Sequence, residues 1–135
     1  MPYALNLAIH VRSTEDHVGL SNIVGQRCHP VRLPNDPRYD CMLYKLISYV
    51  PHPAMSDDIT VAEARYQLTG FSKTFKRMAA LSDQIQDCWQ RFSGVVNGVT
   101  IQNVMLDNVN QSLDGEVEVY MAALDFIFQY ERAAG

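Results

Sequence analysis

Apolar residues recur at intervals of three and four in three segments of the chain, a spacing that predicts helices. The first helix is predicted over residues 3–11. The second follows Ser13–Asp16, a segment that resembles an N-cap with early acidic residues, and Gly25 is a suitable stop. The third and strongest helix follows the candidate N-cap Thr74. Its apolar face carries Phe75, Met78, Leu81, Ile85, Cys88, Trp89 and Phe92.

Alternating side chains predict five strands in the rest of the chain. Cys41–Val50 is largely apolar on both faces, which favours a central strand, whereas Thr60–Thr69 alternates cleanly and should bury one face. A short extended piece within Arg27–Leu33 suits an edge strand because proline cannot donate to a ladder. Two more strands are predicted over Val99–Val109 and Glu116–Arg132. The last strand carries an aromatic and apolar row: Tyr120, Ala122, Leu124, Phe126, Phe128 and Tyr130.

The order of these elements is helix, three strands, long helix and two strands, which predicts an α+β fold. We expect an antiparallel or mixed β-sheet of about five strands, with the long helix and the N-terminal helix packed on it. The aromatic row of the last strand is the expected partner of the long helix. At 135 residues and 15.3 kDa the chain has the size of one domain, so residues 1–135 are expected to form a single domain.

Composition and charge exclude several classes of protein. Apolar residues make up 47% and charged residues 19%, which is typical of a folded globule and not of a disordered chain. A formal net charge of -4 gives no support to a protein that holds nucleic acid with basic side chains. No apolar run approaches the roughly 20 residues that a membrane-spanning helix needs. The cysteines are too few and too widely spaced for a disulfide framework or a paired-cysteine zinc motif, so reduced thiols are expected.

Candidate catalytic groups are scattered, and the glycines form no phosphate-binding loop. His10 and His17 are two helical turns apart, too far to share a metal without other ligands. Cys28 and His29 are adjacent, but neighbouring strand residues point to opposite faces, which prevents proton transfer between them. Two acidic pairs, Asp57 with Asp58 and Glu116 with Glu118, lie beside turns where charge is normally solvated. We therefore expect no catalytic site, no cofactor and no metal.

Several stretches of the sequence carry a likeness to one family. The leading helix is followed by GQRCHPVRLP, with a basic residue, a proline and a second LP step, and then by the strand CMLYKLISYVP. The alternating strand TVAEARYQLTGFSKTF runs directly into the helix KRMAALSDQIQDCWQRF. A strand with Gly98, Val99 and Ile101 precedes the closing strand EVEVYMAALDFIFQYE, which has an LDF element and an aromatic end. Over nearly its full length the chain thus resembles the tail terminator proteins of long-tailed bacteriophages, also called tail completion or tail-to-head joining proteins.

The resemblance implies a structural virion protein and no enzyme. Six copies would close into a ring that caps the finished tail tube, stops its polymerisation and joins the tail to the head. The implied partners are other copies of the chain, the tail tube protein and the head-completion or connector protein. DNA would only pass through the lumen, which an acidic balance suits because it repels phosphate. No membrane partner is implied, and the protein would be assembled in the host cytoplasm and reside in the tail or neck of the virion.

On this interpretation, acidic residues near turns are the candidates to face the lumen or the end of the tube. The first group is assigned to the hairpin between the last two strands: Asp107, Asp114, Glu116 and Glu118. The second group, Asp57 and Asp58, belongs to the turn before Thr60. Both assignments rest on loop position and charge.

Other classes of function remain open from the sequence. One is another phage neck or head-completion protein of similar fold. The others are a small cytoplasmic oligomeric enzyme with a pocket shared between subunits, and a monomeric interaction module. Light scattering with and without tube protein separates a ring from a monomeric module.

Overall fold

The computed structural model describes residues 3–35, 37–52 and 59–133, which form a mixed six-stranded sheet with helices packed on one face. The helices are α1 (Tyr3–Val11), α2 (Val18–Val24) and α3 (Phe75–Trp89), with one π-helical turn at Arg12–Asp16. The strands are β1 (Cys28–Pro30), β2 (Cys41–His52), β3 (Ile59–Ser72), β4 (Gly94–Val96), β5 (Val99–Asp114) and β6 (Val119–Ala133). Their order across the sheet is β1-β2-β3-β6-β5-β4, and each neighbouring pair is antiparallel except β1 with β2.

The predicted α+β class is confirmed, with six strands where about five were expected. The additional strand is β4, which pairs back onto the start of β5. Asn97 and Gly98 make the turn between them with φ of 48° and 82°, a left-handed conformation that asparagine and glycine tolerate. A three-residue strand is too short to produce the alternation that marks a strand in a sequence.

Helix α3 lies on the sheet as predicted. Thr74 is its N-cap, since Thr74 Oγ1 accepts a hydrogen bond from Arg77 N at 3.2 Å. The Trp89 and Phe128 rings are 5.2 Å apart between centroids at 65°, so the helix contacts the aromatic row of β6. The buried side chains of α3 are Met78, Leu81, Ser82, Ile85, Cys88 and Trp89, and those of the row are Ala122, Leu124, Phe126, Phe128 and Tyr130.

The prediction that Ser13 caps the second helix is wrong. The side chains of Ser13 and Thr14 are buried, and Ser13 Oγ accepts a hydrogen bond from Trp89 Nε1 at 3.4 Å. His17 caps α2 instead, with its Nδ1 accepting from Leu20 N at 3.2 Å. A buried indole N–H needs an acceptor, and this tertiary contact takes the hydroxyl that local sequence had suggested for the cap.

Strand β2 differs from its prediction in two ways. It is not central along most of its length, because β1 pairs only with residues 42–44. A bulge between Leu46 and Ser48 also shifts the alternation, so that Tyr49 packs on the core side. Val50, which clean alternation would have buried, is 47% exposed. The apolar residues on both faces of this strand predicted that both faces are buried, but some of these side chains are exposed.

The last hairpin turns later in the sequence than predicted. Strand β5 continues to Asp114 and β6 begins at Val119, so Glu116 is not the first residue of the last strand. The carboxylate of Asp114 accepts a hydrogen bond from Glu116 N at 3.1 Å, which is the contact of an Asx turn. Glu118 has a φ of 53°, which a strand cannot accommodate. Residues 115–118 accordingly form a turn.

Candidate assembly surfaces

The open face of the sheet is the side opposite α1, α2 and α3. Its residues alternate with the buried ones along the four long strands: Lys45, Ser48, Glu63, Arg65, Gln67, Asn103, Met105, Asp125, Ile127, Gln129 and Glu131. Towards the start of β2, the loop after β1 folds over this face, where Leu33 and Tyr39 pack on a small cluster that includes Phe71. The remainder of the open face is mostly polar and half-buried to exposed, with Met105 and Ile127 as apolar members.

Carboxylates dominate the charge of the open face. The guanidinium of Arg65 is paired with Asp107, with Nη1 and Oδ2 at 2.6 Å. The hydrogen bond that Arg65 donates to Asp107 raises the pKa of Arg65, and the nearby carboxylates of Asp125 and Glu63 act in the same direction. Gln67 Nε2 donates to Asp125 Oδ1 at 3.1 Å. Arg65 is thus surrounded by acidic groups, and the carboxylates of Glu63, Asp107, Asp125 and Glu131 outnumber the two basic side chains of the face, Arg65 and Lys45.

The first predicted acidic group separates into two places. Asp114, Glu116 and Glu118 lie together at the exposed β5–β6 turn. Lys73 Nζ donates to the Val117 carbonyl oxygen of this turn at 3.3 Å, which holds the turn against the segment before α3. Asp107 instead lies within β5, beside the bulge between residues 106 and 108, and faces the middle of the sheet. The second group, Asp57 and Asp58, lies outside the described residues.

Two strand segments have no described strand beside them on one side, and they lie at opposite sides of the sheet. The β2 edge is residues 45–52, because β1 reaches only residues 42–44. The β5 edge is residues 105–114, because β4 pairs only with residues 99–101 and Arg91 N donates to the carbonyl oxygen of Val104 at 2.8 Å. An unpaired strand edge offers backbone N–H and C=O groups to another strand.

The β5 edge is exposed on both faces from residue 107 to residue 114. Val109 and Leu113 are 41% and 52% exposed on the helix side of the sheet. Beside them a shallow apolar groove of about 200 Å³ is lined by Phe75, Met78, Gln111, Ser112, Leu113 and Tyr120. The polar run in this part of the sequence indicates this exposure, because a strand that is exposed on both faces lacks the alternation of a half-buried strand.

Charge is segregated between the two sides of the sheet. Residues 92–133, which contain β5 and β6, include six aspartates and glutamates against one arginine, Arg132, and no lysine or histidine. Residues 27–52, which contain β1 and β2, include three arginines and one lysine against two aspartates. Arg32, Arg38 and Lys45 are exposed there. The β5 side is therefore negative and the β2 side positive.

The three cysteine side chains lie in the interior of the protein. Cys28, Cys41 and Cys88 are free and buried. Burial raises the pKa of both Cys28 and Cys88 to about 12 and that of Cys41 to about 11, so none is a thiolate near neutral pH. Within residues 3–35, 37–52 and 59–133 there is no group of three potential metal ligands, and no helix there is long and apolar enough to cross a membrane.

Comparison with known proteins identifies a shared fold. No protein-family model matches the sequence, and no curated protein matches it. Among solved structures, the chain is similar to a chain of the structure described as "Virion of native gene transfer agent (GTA) particle", with a TM-score of 0.73 and 14% sequence identity. The match covers 96% of this chain and 96% of that chain. The two chains therefore have the same fold over nearly their whole lengths.

Proposed function

We propose that this protein is a non-enzymatic structural subunit of a phage-type virion, and within it a tail terminator. Six copies form a ring that caps the tail tube, stops its polymerisation and joins the tail to the head connector. One observation carries the proposal: the fold is shared along 96% of both chains with a chain of a virion. The sequence resemblance to tail terminators supports the finer assignment.

The open face is the surface that we assign to the lumen of the ring. The helices cover only the other face, and the open face carries the carboxylates of Glu63, Asp107, Asp125 and Glu131. A negative lumen lets DNA pass without holding its phosphates. In this orientation the helices form the outer wall of the ring.

The β5–β6 turn with Asp114, Glu116 and Glu118, and the strand ends that flank residues 53–58, are assigned to opposite ends of the ring. The strand ends that flank residues 53–58 lie where Ile59 pairs with Ala133, at the end of β6. The turn of residues 115–118 lies at the start of β6, where Val119 pairs with Asp114. One end can therefore contact the tube while the other contacts the connector, as a protein that joins two partners requires.

Loss of the protein from its phage or particle tests the terminator role. We expect electron micrographs of lysates to contain tails of uncontrolled length and heads without tails, and purified protein added back to tubes to restore a capped end. Tails of normal length beside unjoined heads would reassign the protein to the neck. Normal particles would refute both roles.

Charge reversal tests the assignment of the β5–β6 turn. In the double variant Glu116→Lys/Glu118→Lys, both substituted side chains are exposed, so folding should be retained. We expect capping of tubes to be lost while the thermal midpoint is unchanged. The control Glu15→Lys/Asp83→Lys makes the same change of charge at exposed helical positions and should cap normally. Normal capping by the turn variant would remove the turn from the contact.

A further inference from the structure

We propose that successive copies of this chain join through their strand edges, with the β5 edge of one copy adding antiparallel to the β2 edge of the next. This inference rests on the proposed ring and names its subunit interface. The occupant of each edge is a second copy of the same chain, and the contact is head to tail, because two different surfaces meet.

The directions of the strands permit this pairing. Strand β2 is antiparallel to β3, β3 to β6, and β6 to β5, so β2 and β5 run in opposite directions. A second copy that turns the same face inward therefore presents its β2 antiparallel to β5 of the first. Antiparallel pairing is the more stable ladder, and it would make the sheets of all copies continuous around the ring.

The ends of the two edges also fit. Strand β1 blocks the start of β2, at the end of the sheet near the β5–β6 turn. Strand β4 and the backbone of Arg91 block the start of β5, at the opposite end. The segments left open, residues 45–52 and 105–114, are of similar length and longer than a typical strand of about 5–6 residues. When the neighbouring copy is shifted along the strand direction, the two open segments lie side by side and β1 does not collide with β4. Strands that are tilted relative to the ring axis provide such a shift.

Charge favours this pairing over the alternatives. The β5 edge and its turn carry Asp107, Asp114, Glu116 and Glu118, while Lys45 lies on the β2 edge and Arg32 beyond β1. Pairing of two β5 edges would bring two acidic segments together, which is unfavourable, and pairing of two β2 edges would leave the acidic β5 edges without a basic partner. Opposite charges attract when the β5 edge meets the β2 edge.

Exposed apolar side chains on both edges are consistent with a covered surface. Ile47 and Val50 on the β2 edge are each 47% exposed. Met105 and Val109 on the β5 edge are 54% and 41% exposed. Pairing of the two edges would remove part of this apolar area from water, whereas an unpaired edge leaves it exposed.

Cross-linking between single-cysteine variants tests the pairing. Ser48→Cys on the β2 edge and Asn108→Cys on the β5 edge place exposed thiols on the open face, and the native cysteines are buried. We expect a short bismaleimide to link the mixed variants into heterodimers, and each variant alone to give none. The double variant should give a ladder that ends at the closed ring. Ser48→Cys with Asn110→Cys, the latter also exposed on the open face, is a second pair with the same expectation, and Lys76→Cys on α3 with Asn108→Cys is the control that should not link.

The oligomer is measured separately by native mass spectrometry on protein that has not been cross-linked, with and without tube protein. Rings that form while both edge pairs fail to link overturn the edge pairing and leave the ring intact. Links between two copies of Asn108→Cys would show that two β5 edges meet each other, and this result would also overturn the proposed pairing of β5 with β2. A chain that stays monomeric in the presence of tubes overturns both the pairing and the ring.

Discussion

Gly70 is the residue of β3 that lets α3 approach the sheet, and replacing it with alanine should strain this contact. A Cβ atom at position 70 would lie 2.8 Å from Leu81 Cδ2, 2.9 Å from Leu81 Cγ and 3.2 Å from Ile85 Cδ1. Carbon atoms prefer a separation of about 3.5–4.0 Å, so the neighbours must move by roughly 0.5–1 Å. Leu81 and Ile85 have no exposed surface, which leaves them little room to move.

The expected cost of Gly70→Ala follows from this overlap. Overpacking a core costs about 1–3 kcal/mol, and the lower entropy of the unfolded alanine chain returns about 0.4–1 kcal/mol. We therefore expect the free energy of unfolding to fall by about 1–2 kcal/mol, and the thermal midpoint to fall by roughly 3–12 °C for a chain of this size. Urea denaturation followed by circular dichroism measures the first quantity, and a thermal scan measures the second.

A double-mutant cycle with Leu81→Ala tests the cause. Leu81→Ala alone should cost about 2–5 kcal/mol because it leaves a cavity, and Gly70→Ala/Leu81→Ala should cost less than the sum by about 0.5–3 kcal/mol because the new methyl group fills part of it. Gly115→Ala is the matched control, since a Cβ there meets no atom within 4 Å. If Gly70→Ala is as stable as Gly115→Ala, or if the two core substitutions are additive, the close approach does not limit the packing.

Three further predictions concern the cap, the indole and the thiols. Thr74→Ala should lower the free energy of unfolding by about 1 kcal/mol in urea, because Arg77 N loses its acceptor, and Thr74→Ser should restore it; equal losses from both would argue against the cap. Ser13→Ala should lower the free energy of unfolding by about 1–3 kcal/mol, because the buried Trp89 N–H loses its acceptor. In a Trp89→Phe background, which has no such N–H, the same substitution should cost less. Burial raises the pKa of Cys28 from 9.0 to about 12, so the unfolded thiol ionises first and the free energy of unfolding should decrease as pH rises from 9 towards 12. Alkylation at pH 8 should then require unfolding, and rapid labelling of the native protein would contradict the burial.

The helices and their buried faces could be predicted because their signals are local. The spacing of apolar residues in α3 and its cap at Thr74 lie within one segment, as does the period-two row of β6. The capping of α2 could not be predicted, because Ser13 is taken by Trp89, a residue 76 positions away. The faces of β2 were also missed beyond Leu46, since a bulge depends on how the partner strand pairs and not on the strand's own pattern.

The candidate surfaces divide in the same way. The sequence indicated acidic groups near turns, and three of them, Asp114, Glu116 and Glu118, do lie together at the β5–β6 turn. Asp107 does not belong to the turn, because β5 continues beyond it to Asp114, and its partner Arg65 comes from another strand. The fold relationship to a virion chain also depends on the structure, because neither a family model nor a curated protein matches the sequence.

By itself, the sequence determined the α+β class, the amphipathic faces and the segregation of charge along the chain, since these depend on residue type and short-range periodicity. The tertiary structure alone decided which strands are neighbours. It brought the acidic β5 and the basic β1–β2 segment to opposite sides of one sheet and left an unpaired edge on each. Strand order is set by contacts between residues far apart in the chain. The polar run of β5 indicates exposure, but no local pattern shows that this segment and the end of β2 are the two unpaired edges of one sheet.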